Sequence, residues 1–156
     1  MSSFTNPLRV EITQRDVKGR TLAVLLEDFS YWIGEETSDD FINVKAGFET
    51  DFASVPRALW WLCPPLGPYG KATVVHDWGY VVQERTRKGY DLIFLEAMQV
   101  LGVAFWKRYL MYLAVRAFGW RYWNRRADIK AEYQTKEDAA PGKPDPTIYG
   151  RRDLKY

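Results

Sequence analysis

The apolar periodicity of this chain changes once, across Cys63-Pro64-Pro65-Leu66-Gly67-Pro68-Tyr69-Gly70, and that change constrains its fold more than any other feature. Upstream, from Leu8 to Phe48, apolar residues alternate or cluster in short β-prone runs: Val10 and Ile12, Leu22 to Leu26, Phe29 to Ile33, Phe41 to Val44. Asp16-Val17-Lys18-Gly19, Gly34-Glu35 and Ser38-Asp39-Asp40 carry turn chemistry between them, so the spacing predicts antiparallel hairpins. Downstream, Val74, Val75, Trp78, Val81 and Val82 fall on one helical face and Thr73, His76, Asp77 and Tyr80 on the other, which predicts a two-faced helix. Asp91 suits the N-cap of a second helix reaching about Leu101, with a break at Gly102. A third helix carries Phe105, Tyr109 and Tyr112 on one stripe and Trp106, Leu110, Leu113, Ala117 and Trp120 on another, which predicts burial on more than one side. Arg85, Arg87 and Lys88 read as a solvated turn between the first two helices. The expected class is α+β: N-terminal antiparallel β hairpins or sheet packed on a C-terminal bundle of about three helices, with an extended C-terminal tail.

A length of 156 residues with 47% hydrophobic content fits one core, placed here at residues 1–134 with a tail over 135–156. The Pro/Gly-rich run Ala139 to Pro146 buries too little to order itself, so Ile148, Tyr149 and Tyr156 are the side chains expected to dock the tail on a partner or on its own domain. A net charge of +2 is too balanced to argue for a nucleic-acid groove. Cys63, the single cysteine, forms no intramolecular disulfide, and a reducing compartment is the simpler home. Met1 to Pro7 lacks the basic segment and apolar run of a signal peptide. Glu96, Lys107, Arg108 and Arg116 interrupt the apolar stretch from Asp91 to Trp120 well short of the ~18 residues a transmembrane helix requires. The mixture of aromatics and Arg from Phe105 to Trp123 also fits a membrane-surface helix, the less favoured reading beside core helices. No internal repeat is visible.

Chemistry concentrates in two short stretches: Thr50-Asp51-Phe52-Ala53-Ser54-Val55-Pro56, and His76-Asp77-Trp78-Gly79-Tyr80, which holds the one histidine. Pro56 biases Val55 toward an extended backbone, so the first stretch leaves the sheet as a loop or strand end. Ser54 as nucleophile and His76 as base, oriented by Asp51, Asp77 or Asp91, would supply serine hydrolysis, but no Gly-x-Ser-x-Gly elbow accompanies them. Cys63 reads as a small apolar thiol rather than a partner of His76. His76 with Asp51 and Asp77, and with Asp91 as a further candidate, offers one imidazole and two or three carboxylates, suited to a divalent ion such as Mg²⁺, Mn²⁺, iron or Zn²⁺. Adjacent His76 and Asp77 diverge by about 100° on a helix, which argues against both binding one ion. The metal phosphohydrolases named for a His-Asp dipeptide need a further histidine, which this chain lacks. The reading favoured over catalysis is a buried polar network, with no cofactor, that locks a loop onto a helix: Asp51 and Asp77 satisfy loop amides and His76, Thr50 and Ser54 close the turn, and Tyr80 and Asp91 belong to the same network.

These residues resemble a family: the domain of unknown function numbered 1353, common in tailed bacteriophages and prophages. The resemblance rests on Gly47 to Pro56, Pro64 to Tyr69, Ala72 to Tyr80, Asp91 to Met98 and Met111 to Trp120, five separated motifs in order across residues 40–124. Tyr90 stands where many relatives are expected to carry a small residue. The resemblance implies a phage gene product found among virion, tail and lysis genes. Two expectations follow from it: a virion-associated or assembly protein made in the host cytoplasm, whose tail contacts other phage structural proteins or a second copy of itself, or a small metal-assisted hydrolase acting on cell-wall material.

Overall fold

Two-residue alternation shapes the first half of the structure, a computed structural model that describes residues 1–4, 6–13, 22–35, 38–50 and 67–137, with Leu22 and residues 128–137 as backbone. Six strands form over Ser3–Phe4 (β1), Val10–Thr13 (β2), Leu22–Leu25 (β3), Phe29–Trp32 (β4), Phe41–Val44 (β5) and Glu49–Thr50 (β6). Among the described residues they form two three-stranded antiparallel sheets, ordered β1-β4-β5 and β2-β3-β6. Along β4 and β5 every second residue is buried, and the register sets Phe29 opposite Val44 and Tyr31 opposite Ile42, so each buried side chain meets another across the ladder.

One carboxylate and one glycine fix the turn that follows β5. Asp28 accepts from the Ala46 amide at 3.0 Å and from Lys45 Nζ at 3.0 Å. Those two bonds hold its carboxyl below the usual carboxylate range, the amide contributing most. Gly47 has φ +84°, a backbone that side chains with a Cβ rarely adopt, and its amide donates to Leu25 O at 2.7 Å. The chain is thereby delivered to β6, and Phe48 reaches inward to meet the edge of Trp78 with ring centroids 5.2 Å apart.

Three helices complete the described fold: Gly70–Val82 (α1), Arg87–Val100 (α2) and Phe105–Glu137 (α3). No helix among the described residues is long and apolar enough to cross a membrane. β5 lies against α1, while α2 packs on both α1 and α3. The first sheet is tied to α2 through Glu96, whose Oε1 accepts from Tyr31 Oη at 3.0 Å and from Ser2 Oγ. Burial, and then the adjacent Glu96 carboxylate, push the Tyr31 phenol upward from its ordinary value.

Three expectations change at this level, while α1 keeps its two faces, the polar one buried with Thr73, His76 and Tyr80. Asp91 is not an N-cap: Thr86 holds that position, its Oγ1 accepting from the Gly89 amide at 3.1 Å, and Asp91 lies a turn inside α2. Arg87 opens α2 rather than floating in a solvated turn, and Nη1 donates to Arg116 O at 3.1 Å. Arg85 likewise pairs with Asp40. On α3 only the stripe of Met111, Ala114 and Val115 enters the core; Phe105, Trp106, Tyr109, Leu113 and Trp120 are exposed, because a single side of the helix meets the rest of the described fold.

Candidate functional site

Asp91 is the hub of a buried polar cluster where the three helices meet. Its side chain is 0% exposed and both oxygens are engaged. Oδ1 lies 2.9 Å from His76 Nε2 and accepts from Tyr80 Oη at 2.6 Å, both from α1 and one helical turn apart. Oδ2 accepts from Arg116 Nη1 of α3 at 2.8 Å, with Arg87 Nη1 at 3.6 Å from the preceding turn of α2. Burial pushes the Asp91 carboxyl up, but hydrogen bonds from His76, Tyr80 and Arg116 outweigh it and hold the group below its ordinary value. An ionised carboxylate only accepts, so His76 Nε2 carries the proton toward it. The same contacts act on the partners: burial and then Asp91 raise the Tyr80 phenol, and Asp91 raises the Arg116 guanidinium.

Packing fixes these groups in place. The His76 ring, 3% exposed, packs in tilted contact with Tyr80 at 4.3 Å and Phe94 at 4.8 Å between ring centroids, while Tyr80 meets the edge of Trp123 at 5.2 Å. Gly119 lets α3 approach so closely that a Cβ there would meet the Tyr80 hydroxyl, which Asp91 already holds. One residue along α1 the chemistry points elsewhere: Asp77 Oδ2 accepts from Thr50 Oγ1 at 2.6 Å, fastening the end of β6 to α1.

Of the residues singled out from sequence, His76, Tyr80 and Asp91 come together, and Thr50 with Asp77 form a neighbouring pair. Asp51, Ser54, Cys63, Ile148, Tyr149 and Tyr156 lie outside the described residues. Arg116 and Arg87 were not foreseen, although each left a signal. Arg87 stands at i−4 from Asp91, and Arg116 is a lone charge in the apolar stretch from Tyr109 to Trp120, where a buried counter-charge is the economical explanation. Among the described residues no group of three or more His, Cys, Asp or Glu gathers to hold a cation. His76 and Asp91 would supply two ligands, and the Arg116 guanidinium already occupies one carboxylate oxygen.

A carboxylate, an imidazole, a phenol and two guanidinium groups meeting between three helices unite the His76, Asp91 and Met111–Trp120 motifs in one place. Residues 23–115 match the family model described as "Protein of unknown function (DUF1353)". The chain belongs to this family. It is 31% identical over 139 residues to the uncharacterized protein y4jT of Sinorhizobium fredii (strain NBRC 101917 / NGR234), an alignment covering 88% of this chain and 38% of that protein. The chain therefore spans well under half the length of this curated family relative. No solved structure matches it. Within the matched span lie His76, Tyr80, Arg87 and Asp91, while Arg116 falls one residue beyond it.

Proposed function

We propose that this chain is a structural or assembly component of a phage-type particle, and that the cluster around Asp91 is a clamp that holds its helices in register rather than a reaction centre. The observation that carries the reading is the saturation of Asp91: fully buried, it accepts from a phenol, an imidazole and a guanidinium, which leaves little capacity to bind a substrate or move a proton. The phage context comes from the motif resemblance, and docking through residues 140–156 is part of the same proposal. Purified particles should contain the chain in fixed stoichiometry, and deleting residues 140–156 should weaken its incorporation. Absence from particles defeats the proposal.

A second reading keeps one specific support, the His76 to Asp91 contact at 2.9 Å, which is how a carboxylate orients a catalytic imidazole. It describes a small hydrolase, metal-assisted if Asp51 completes a ligand set, acting on cell-wall material. His76→Gln separates the two, since the amide can still donate to Asp91 but cannot act as a base. The clamp reading expects the variant to enter particles as the parent does. The hydrolase reading expects release of soluble fragments from purified peptidoglycan by the parent, abolished in a variant of unchanged melting temperature.

A further inference from the structure

The side of α3 turned away from the core carries a second feature. At 100° per residue, Trp106, Tyr109, Leu113, Ala117 and Trp120 fall within an arc of about 80°, diametrically opposite the core stripe of Met111 and Val115. All five are exposed, with Trp106 at 55%, Leu113 at 59% and Trp120 at 48%. An apolar strip continuous over four helical turns is larger than scattered surface hydrophobics explain. Its charge is as unusual as its polarity. From Phe105 to Ala127 the helix holds six of the chain's 22 Lys and Arg and none of its 20 Asp and Glu, although Arg116 is taken by Asp91 and Arg108 donates to Val103 O. Exposed Arg121 borders the strip, and its guanidinium lies 5.4 Å from the Trp120 ring centre, so cation and aromatic form one surface.

From this we infer that the outer face of α3 docks in the plane of an anionic phospholipid bilayer, independently of whether the chain enters a particle. Trp and Tyr belong at the headgroup boundary, Leu113 and Ala117 at the centre of the strip gain from the acyl region beneath, and the bordering Arg121 meets lipid phosphate. The absence of acidic residues between Phe105 and Ala127 disfavours an antiparallel second copy seated on this strip, which would set cations against cations. Leu113 and Ala117 disfavour nucleic acid, since they offer bases no stacking surface.

Sedimentation of the full chain with vesicles tests it. The chain should pellet with phosphatidylcholine vesicles that contain phosphatidylglycerol, release in high salt, and bind weakly to phosphatidylcholine alone. Trp106→Ser combined with Leu113→Ser should abolish pelleting, and Arg121→Gln should lower the partition coefficient roughly five-fold. Far-UV circular dichroism and urea midpoints matching the parent establish that each variant folds. Failure to pellet, equal binding to both vesicle types, or a dimer in analytical ultracentrifugation that Leu113→Glu dissociates would each overturn the inference. So would capture of single-stranded oligonucleotide by a chain that ignores vesicles.

Discussion

Asp91→Ala should lower the free energy of unfolding by about 3–5 kcal/mol, the cost of removing one partner from a buried ionic cluster. Three donors lose their acceptor at once. The Arg116 guanidinium and the Tyr80 hydroxyl would face a cavity between helices, and His76, pinned between Tyr80 and Phe94, cannot turn to find water. Against a typical domain stability of about 5–15 kcal/mol, this loss brings the chain close to unfolding at physiological temperature. Urea denaturation reads it as a shift in midpoint at constant slope. A loss under about 1 kcal/mol would mean that the cluster does not bind the helices together.

Gly79→Ala should be the next most damaging single change, through sterics alone. A Cβ at position 79 would overlap the Tyr90 ring at Cδ1, Cε1 and Cγ, atoms near the base of a ring that is 1% exposed and packed against Trp123. Neither helix can yield cheaply, because α1 and α2 are also joined through His76 and Asp91. Alanine in a helix interior gains roughly 0.8–1.0 kcal/mol over glycine, whereas overpacking a filled core costs about 1–3 kcal/mol or more. With three ring atoms overlapped, sterics should win by about 2 kcal/mol, lowering the melting temperature by several degrees. Tyr90→Ala in the same chain should remove most of the penalty specific to Gly79→Ala, so that the double variant is destabilised by less than the sum of the two single changes. A neutral or stabilising Gly79→Ala would show that the two helices do not approach as described. Tyr90 is thus accommodated by a glycine on the facing helix.

The strands were legible because burial on one face leaves a period of two: Phe29 and Tyr31, Ile42 and Val44 announce themselves without their partners. How those strands divide into two sheets was not, since alternation says which face is buried and nothing about which edge pairs. Helix positions were visible for the same reason as the strands, but not their surroundings. Periodicity placed Trp106, Leu113 and Trp120 on one stripe of α3 and could not say that the stripe has no neighbour in the described fold. Asp91 misled because aspartate is a favoured cap, and the competing cap, Thr86, lacks the acidic residue three positions on that makes a capping box evident. His76, Tyr80 and Asp91 were each identifiable as chemistry-bearing. Their convergence on one carboxylate depends on how three helices pack, a long-range fact that no local pattern encodes.

The central claim is that Asp91 is an ionised carboxylate whose charge fastens α1 and α3 to α2, and its pH dependence tests that most directly. The folded-state carboxyl is held below its unfolded value of about 3.9, so the stabilisation is complete above that value and is lost as pH falls through the folded one. Urea unfolding of the parent and of Asp91→Asn, compared from neutral pH downward, should show a stability gap that is constant near neutrality and narrows steadily in acid, because only the parent has a charge there to lose. A gap that stays the same over the whole range in which both chains remain folded would contradict the account.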